Sequence, residues 1–189
     1  MKAKKMKRIL RLLSHLLLWA LAAGLLTGWV FNMLTDARRE EKITLFAGMR
    51  SVRAQELAAA LEEDLPEGIR MVQVRPFAYA MMDTTSLETA DLYVMTAAQA
   101  EEHRGWIRSL PSGMSEAEDA LVLDGEPVGV RLFDAASGQG AARSFLNYDE
   151  SPGEDWYICF GTDGFHLADL PRGKDNAALT VAKRLTELE

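Results

Sequence analysis

The sequence predicts an α/β chain: a single mixed-sheet α/β sandwich domain behind an N-terminal transmembrane helix. Three observations carry that prediction. Six of the 21 basic residues precede an apolar run over residues 12–34, and no acidic residue occurs before Asp36. Beyond the run, short β-like stretches alternate with amphipathic helical ones, the order that gives at least some parallel strands. Asp124-Gly125, between two apolar stretches, is the strongest hairpin signal in the chain and adds antiparallel pairing to the sheet.

The apolar run comes first. A span of roughly 20 apolar residues crosses a bilayer core, because only an uninterrupted helix satisfies its own backbone groups there. Lys2, Lys4, Lys5, Lys7, Arg8 and Arg11 lie on its N-terminal side, and the positive end stays in the cytoplasm. The expected organisation is a cytoplasmic basic segment (1–11), a transmembrane helix (12–34), a short charged linker (35–41) and an extracytoplasmic α/β domain (42–189), making a single-pass cell-membrane protein. A cleaved signal peptide is the competing reading, with Ala20-Leu21-Ala22 or Leu21-Ala22-Ala23 as its cleavage site. Apolarity that continues to Leu34 favours the retained anchor. Ala20, Gly24 and Gly28 recur at every fourth position, a small-residue face through which two such helices would dimerise in lipid.

The elements follow in order. Lys42–Ala47 reads as a strand ending at Gly48-Met49. Ser51 is a plausible cap for a helix with Val52, Leu57, Ala60 and Leu61 on one face, stopped by Pro66-Glu67-Gly68. Residues 69–77 form the second strand. Residues 90–96 form a third, nearly all apolar, as a strand covered on both faces should be. A helix is expected over 97–107, two strands around Asp124-Gly125, and a short helix at about 139–147. Residues 156–161 form another strand, with 165–167 as its hairpin partner. A final helix starts at Asp175 or Asn176 and buries Ala178, Val181, Ala182 and Leu185.

Composition then excludes functions. After residue 35 there are 15 basic residues against all 28 acidic ones, a field that repels nucleic acid and other polyanions. The single cysteine, Cys159, forbids an internal disulfide, lies too far along for a lipoprotein anchor, and reads as a small buried hydrophobe. His103 and His166 lie far apart and match no zinc spacing. Gly138-Gln-Gly140 lacks the third glycine of a phosphate loop, and the acidic stretch Asp149–Asp155 fits no calcium loop. No GxSxG or charged triad is present. The expectation is no enzyme, no metal and no cofactor.

The stretches KITLFAGM (from Lys42), ELAAALEEDLPEGIRMVQV (from Glu56) and ADLYVMT (from Ala90), with DGEPVGVRLF (from Asp124) later, resemble the first lobe of the extracellular solute-binding proteins of ABC importers. The resemblance implies a binding-protein-like lobe. The residues beyond the Tyr93 strand, together with those near Tyr79 and Asp83, would face the ligand edge, and Trp106 joins Tyr79 and Asp83 as an aromatic candidate for stacking a ligand or anchoring a partner. Those relatives close two lobes over a ligand, and residues 42–189 suffice for one. The function expected is a membrane-anchored recognition domain that takes a small solute or a transporter or signalling membrane protein. The alternative is a structural or assembly protein of the envelope with no small-molecule ligand.

Overall fold

A computed structural model describes residues 15–27, 37–63, 65–77, 87–112, 114, 119–171 and 173–189. The chain divides into an N-terminal unit, residues 1–37, and a second unit, residues 38–189. In the first unit residues 15–27 are helical (α1). Leu16, Leu17, Leu18, Trp19, Leu21, Leu25 and Leu26 are all exposed around this helix. The Thr27 hydroxyl donates back to the Ala23 carbonyl at 2.6 Å, so the helix carries its one hydroxyl satisfied. Among the described residues no helix is long and apolar enough to cross a membrane. The rest of the expected span, 12–14 and 28–34, and Gly28 with it, lies outside them.

The second unit is a mixed α/β domain built on one sheet, consistent with a Rossmann-like or binding-protein-like lobe. Its strands are β1 (Lys42–Ala47), β2 (Met71–Pro76), β3 (Leu92–Thr96), β4 (Ala120–Leu123), β5 (Glu126–Asp134), β6 (Gln139–Gly140) and β7 (Trp156–Phe160); its helices are α2 (Ala54–Glu62), α3 (Ala97–Glu102) and α4 (Ala177–Glu187). The strand order is β2-β1-β3-β7-β5-β4, with β6 beside β5. β1 pairs parallel with both β2 and β3. β7 runs antiparallel between β3 and β5, and β4 and β6 are antiparallel to β5.

Alternation explains the layers. Ile43, Leu45, Leu92, Val94, Ile158 and Phe160 point to one face and bury against Leu57 and Leu61 of α2 and Ala178, Val181, Ala182 and Leu185 of α4. Phe46, Tyr93, Met95 and Cys159 point to the other, against Leu87, Ala90, Ala100 and Ile107. β3 is buried at every position, as its unbroken apolar run predicts. At the β4–β5 turn, Asp124 and Gly125 both take positive φ (54° and 82°), the twist a two-residue hairpin needs.

Four local expectations are corrected. α2 begins at Ala54 with Arg53 at the cap position, so Ser51 is not its cap. α3 stops at Glu102, and Arg104–Trp106 tighten into a 3₁₀ turn that brings Ile107 to bridge Gly161. Residues 139–147 are not helical: Gln139–Gly140 pair with β5 and a turn follows. Residues 165–167 make no strand, because β7 takes β3 and β5 as its partners instead.

Candidate functional site

In an open α/β sheet, ligands bind beyond the carboxyl ends of parallel strands where the strand order reverses. Here that point lies between β1 and β3, since β2 and β3 flank β1 on opposite sides. Gly48 follows β1 there and donates its N–H to the Val94 carbonyl at 2.6 Å. From β3 comes Thr96, whose side chain caps α3. Thr96 Oγ1 accepts from the Gln99 backbone N–H, and Gln99 Oε1 accepts from the Thr96 N–H, a reciprocal capping box. Gln99 Nε2 then donates to the Gly48 carbonyl at 2.9 Å. A Cβ on residue 48 would collide with the Gln99 amide, so the glycine leaves room for it. The chain's own glutamine fills the crevice.

Next to it, Glu150 reaches across from the turn before β7. Its two carboxylate oxygens accept the backbone N–H groups of Arg50 and Ser51, both at 2.6 Å. A groove of about 290 Å³ adjoins this contact, lined by Ser51, Arg53, Arg143, Ser144, Asn147 and Tyr148 among others. Arg143 is held over the Phe133 ring and donates to the Gly138 carbonyl at 2.6 Å. Tyr148 is buried, which pushes its phenol above its ordinary value, and its hydroxyl donates to the Ala141 carbonyl at 2.7 Å.

A wider groove of about 680 Å³ lies over Ala97, Ala98, Arg131, Asp134, Asp155 and Tyr157. Arg131 pairs with Asp119 at 2.6 Å and Asp155 at 3.5 Å, and the Asp119 hydrogen bond holds the guanidinium above its ordinary value. Burial, then the Asp155 charge, raises the Tyr157 phenol. The groove's cation is therefore matched by its own carboxylates.

A polar cluster occupies the other end of β1 and β3. His166 is 0% exposed. Its Nδ1 faces both Asp175 oxygens at 3.1 Å, and its Nε2 faces the carbonyls of Lys42 at 3.1 Å and Arg39 at 3.4 Å. The ring is thus held from both sides by oxygen atoms. Asp91 accepts the backbone N–H groups of Thr44, Phe165 and His166. Burial nevertheless pushes its carboxyl above the ordinary value. Every polar group here has an internal partner, so the cluster ties segments together. Cys159 is buried, and burial pushes its thiol up to about 12, far from a reactive range. Among the described residues no three His, Cys, Asp or Glu side chains converge as metal ligands.

Of the residues expected at the site, Tyr79 and Asp83 lie outside the described residues. Trp106 is half-buried in a stack of rings: His103 lies parallel at 4.0 Å, and Tyr93 is 6.4 Å away on the second face of the sheet. The described residues at the strand ends are instead Gly48, Gln99, Glu150, Arg53 and Arg143. Thr96-Ala-Ala-Gln99 carries a readable capping-box pattern. Glu150 carries none, because its partners lie about 100 residues earlier. No family model matches this chain, and neither does any curated protein.

Proposed function

We propose that the chain is a membrane-anchored, extracytoplasmic recognition domain, related to the lobes of solute-binding proteins, that binds a membrane-protein partner at the carboxyl ends of β1 and β3. The observation that carries this reading is the filled crevice: Gln99 and Glu150 take up hydrogen-bonding groups of the β1–α2 loop, and the groove that adjoins them is open and lined mostly by polar groups. Burying a small solute calls for a concave, largely apolar pocket. A partner surface with a few protruding groups fits an open, polar groove better. The anchor half of the reading rests on residues 12–34 and on α1, apolar on all sides, a pattern that suits a lipid span or a protein core.

A photo-reactive residue at position 144 or 136, placed in turn in the full chain in its own membranes, tests the partner half. The expected result is one discrete cross-linked protein from these positions and none from position 169 at the opposite end. Equal labelling from both ends, or thermal stabilisation by a sugar, amino acid or polyamine instead, would move the function to an envelope assembly role or to solute capture.

A further inference from the structure

We infer that the Arg50–Ser51 cradle is a carboxylate-binding site whose resident occupant is Glu150, and that a carboxylate of the partner, a free chain terminus in the first instance, displaces it. The inference rests on the reading above and names the chemistry of the contact. Two successive backbone N–H groups pointing at one carboxylate form an anion-binding concavity. They precede α2 by three residues, so the donors belong to the loop and not to the helix end. Both contacts are short, 2.6 Å, and an ionised carboxylate is the acceptor that strengthens such bonds most.

The surroundings suit a carboxylate from outside. In a sequence with 15 basic and 28 acidic residues after position 35, Arg53 and Arg143 both line the adjoining groove, and Arg50 is part of the cradle. Arg143 is fixed by Phe133 and the Gly138 carbonyl. Arg53 pairs with Glu56 at 3.5 Å, and both side chains of that pair are more than 60% exposed. Such a pair contributes little and exchanges readily. Ser51 and Asn147 line the same wall, the Ser144 hydroxyl donates to the Glu189 carbonyl at 3.2 Å, and Asp149 is the one carboxylate among the groove's lining residues. Glu150 is itself exposed, so its departure uncovers no core. An internal carboxylate competes at a high effective concentration, which keeps the cradle closed to weak anions and selects a partner that adds contacts along the groove.

The test follows the Arg50 and Ser51 amide signals of the ¹⁵N-labelled full chain, as wild type and as Glu150→Ala. The probes are an acetylated tripeptide with a free carboxyl terminus, its amidated twin, and succinate. The expected result is that the acid peptide shifts both amides, about tenfold more tightly in Glu150→Ala than in wild type, while the amide twin does nothing. Arg143→Ala in that background should remove most of the gain. Glu150→Gln, which keeps one acceptor, guards against a folding defect and should give a smaller gain of the same sign. Equal affinity in wild type and Glu150→Ala overturns the resident-occupant role. Equal binding of the acid and amide peptides, or no shift at Arg50 and Ser51 in any variant, overturns the site. Succinate binding without peptide binding supports the cradle and overturns a chain terminus as its ligand. Cross-linking from position 144 reads the partner independently, so a failure of the cradle and a failure of the recognition role remain distinguishable.

Discussion

His166 sends one ring nitrogen to Asp175 and the other to the carbonyls of Lys42 and Arg39, so its own loop, the approach to α4 and the start of β1 meet on one imidazole. Replacement by Leu leaves a part-buried carbonyl and a half-buried carboxylate without their ring-nitrogen partner. It should cost about 2–4 kcal/mol, measured by urea unfolding of the full chain. Asp91 beside it predicts a pH dependence. Burial raises its native value above the unfolded one, so the folded state holds the proton more tightly. Its share of stability is then present below the unfolded value and is lost as pH rises through the native one. The stability difference between wild type and Asp91→Asn should therefore fall as pH rises from about 4; a difference that grows would mean that the three N–H bonds outweigh burial. Little at this scale was legible beforehand. His166 reads as a loop histidine because the oxygens that surround it come from residues 39, 42 and 175, and no local pattern announces such a meeting. Cys159 was legible, since its apolar neighbours in β7 already mark a buried strand.

Elements were read well where a local signal and burial agree. β1, β2, β3, the β4–β5 hairpin, β7 and α4 stand where periodicity and turn residues put them. The errors fall where a short polar segment takes its form from a distant partner. The turn at 141–147 is tied to α4's exit by the Ala142 N–H on the Leu188 carbonyl and to the β1–α2 loop by the bridge of Leu146 to Val52. Those two ties replace the helix that composition alone suggests. The capping box gives a prediction at this scale. Thr96→Ala removes the hydroxyl that caps α3 and should cost about 1 kcal/mol, read as a lowered denaturation midpoint. Gly161→Ala should cost more, because a Cβ there runs into the Ala90 carbonyl and the backbone must move. If the alanine is tolerated, the Ile107–Gly161 bridge is looser than described.

For the whole molecule, the mixed sheet with helices on it was legible, because alternating strand and helix patterns leave few other ways to bury both faces. Which strands sit side by side was not, since pairing is set by contacts far apart in sequence. The membrane reading makes its own prediction. The full chain should stay with membranes through an alkaline wash, and protease added from outside should remove residues beyond 38 while sparing the basic N-terminus. Release by the wash, with a new N-terminus near Ala23, would show the signal-peptide alternative instead. The place of β7 has a consequence for how the domain is made. It is the last strand in the chain, yet it lies between β3 and β5 and is the strand that joins them. As the polypeptide emerges, β1 to β3 and the β4–β5 hairpin can each form early, but they wait as two half-sheets with bare inner edges until residue 160 arrives. Such edges invite pairing with other chains. A chain stopped before Trp156 would carry most of the strands and still have no closed sheet, and its fate would be aggregation or degradation rather than a smaller working domain.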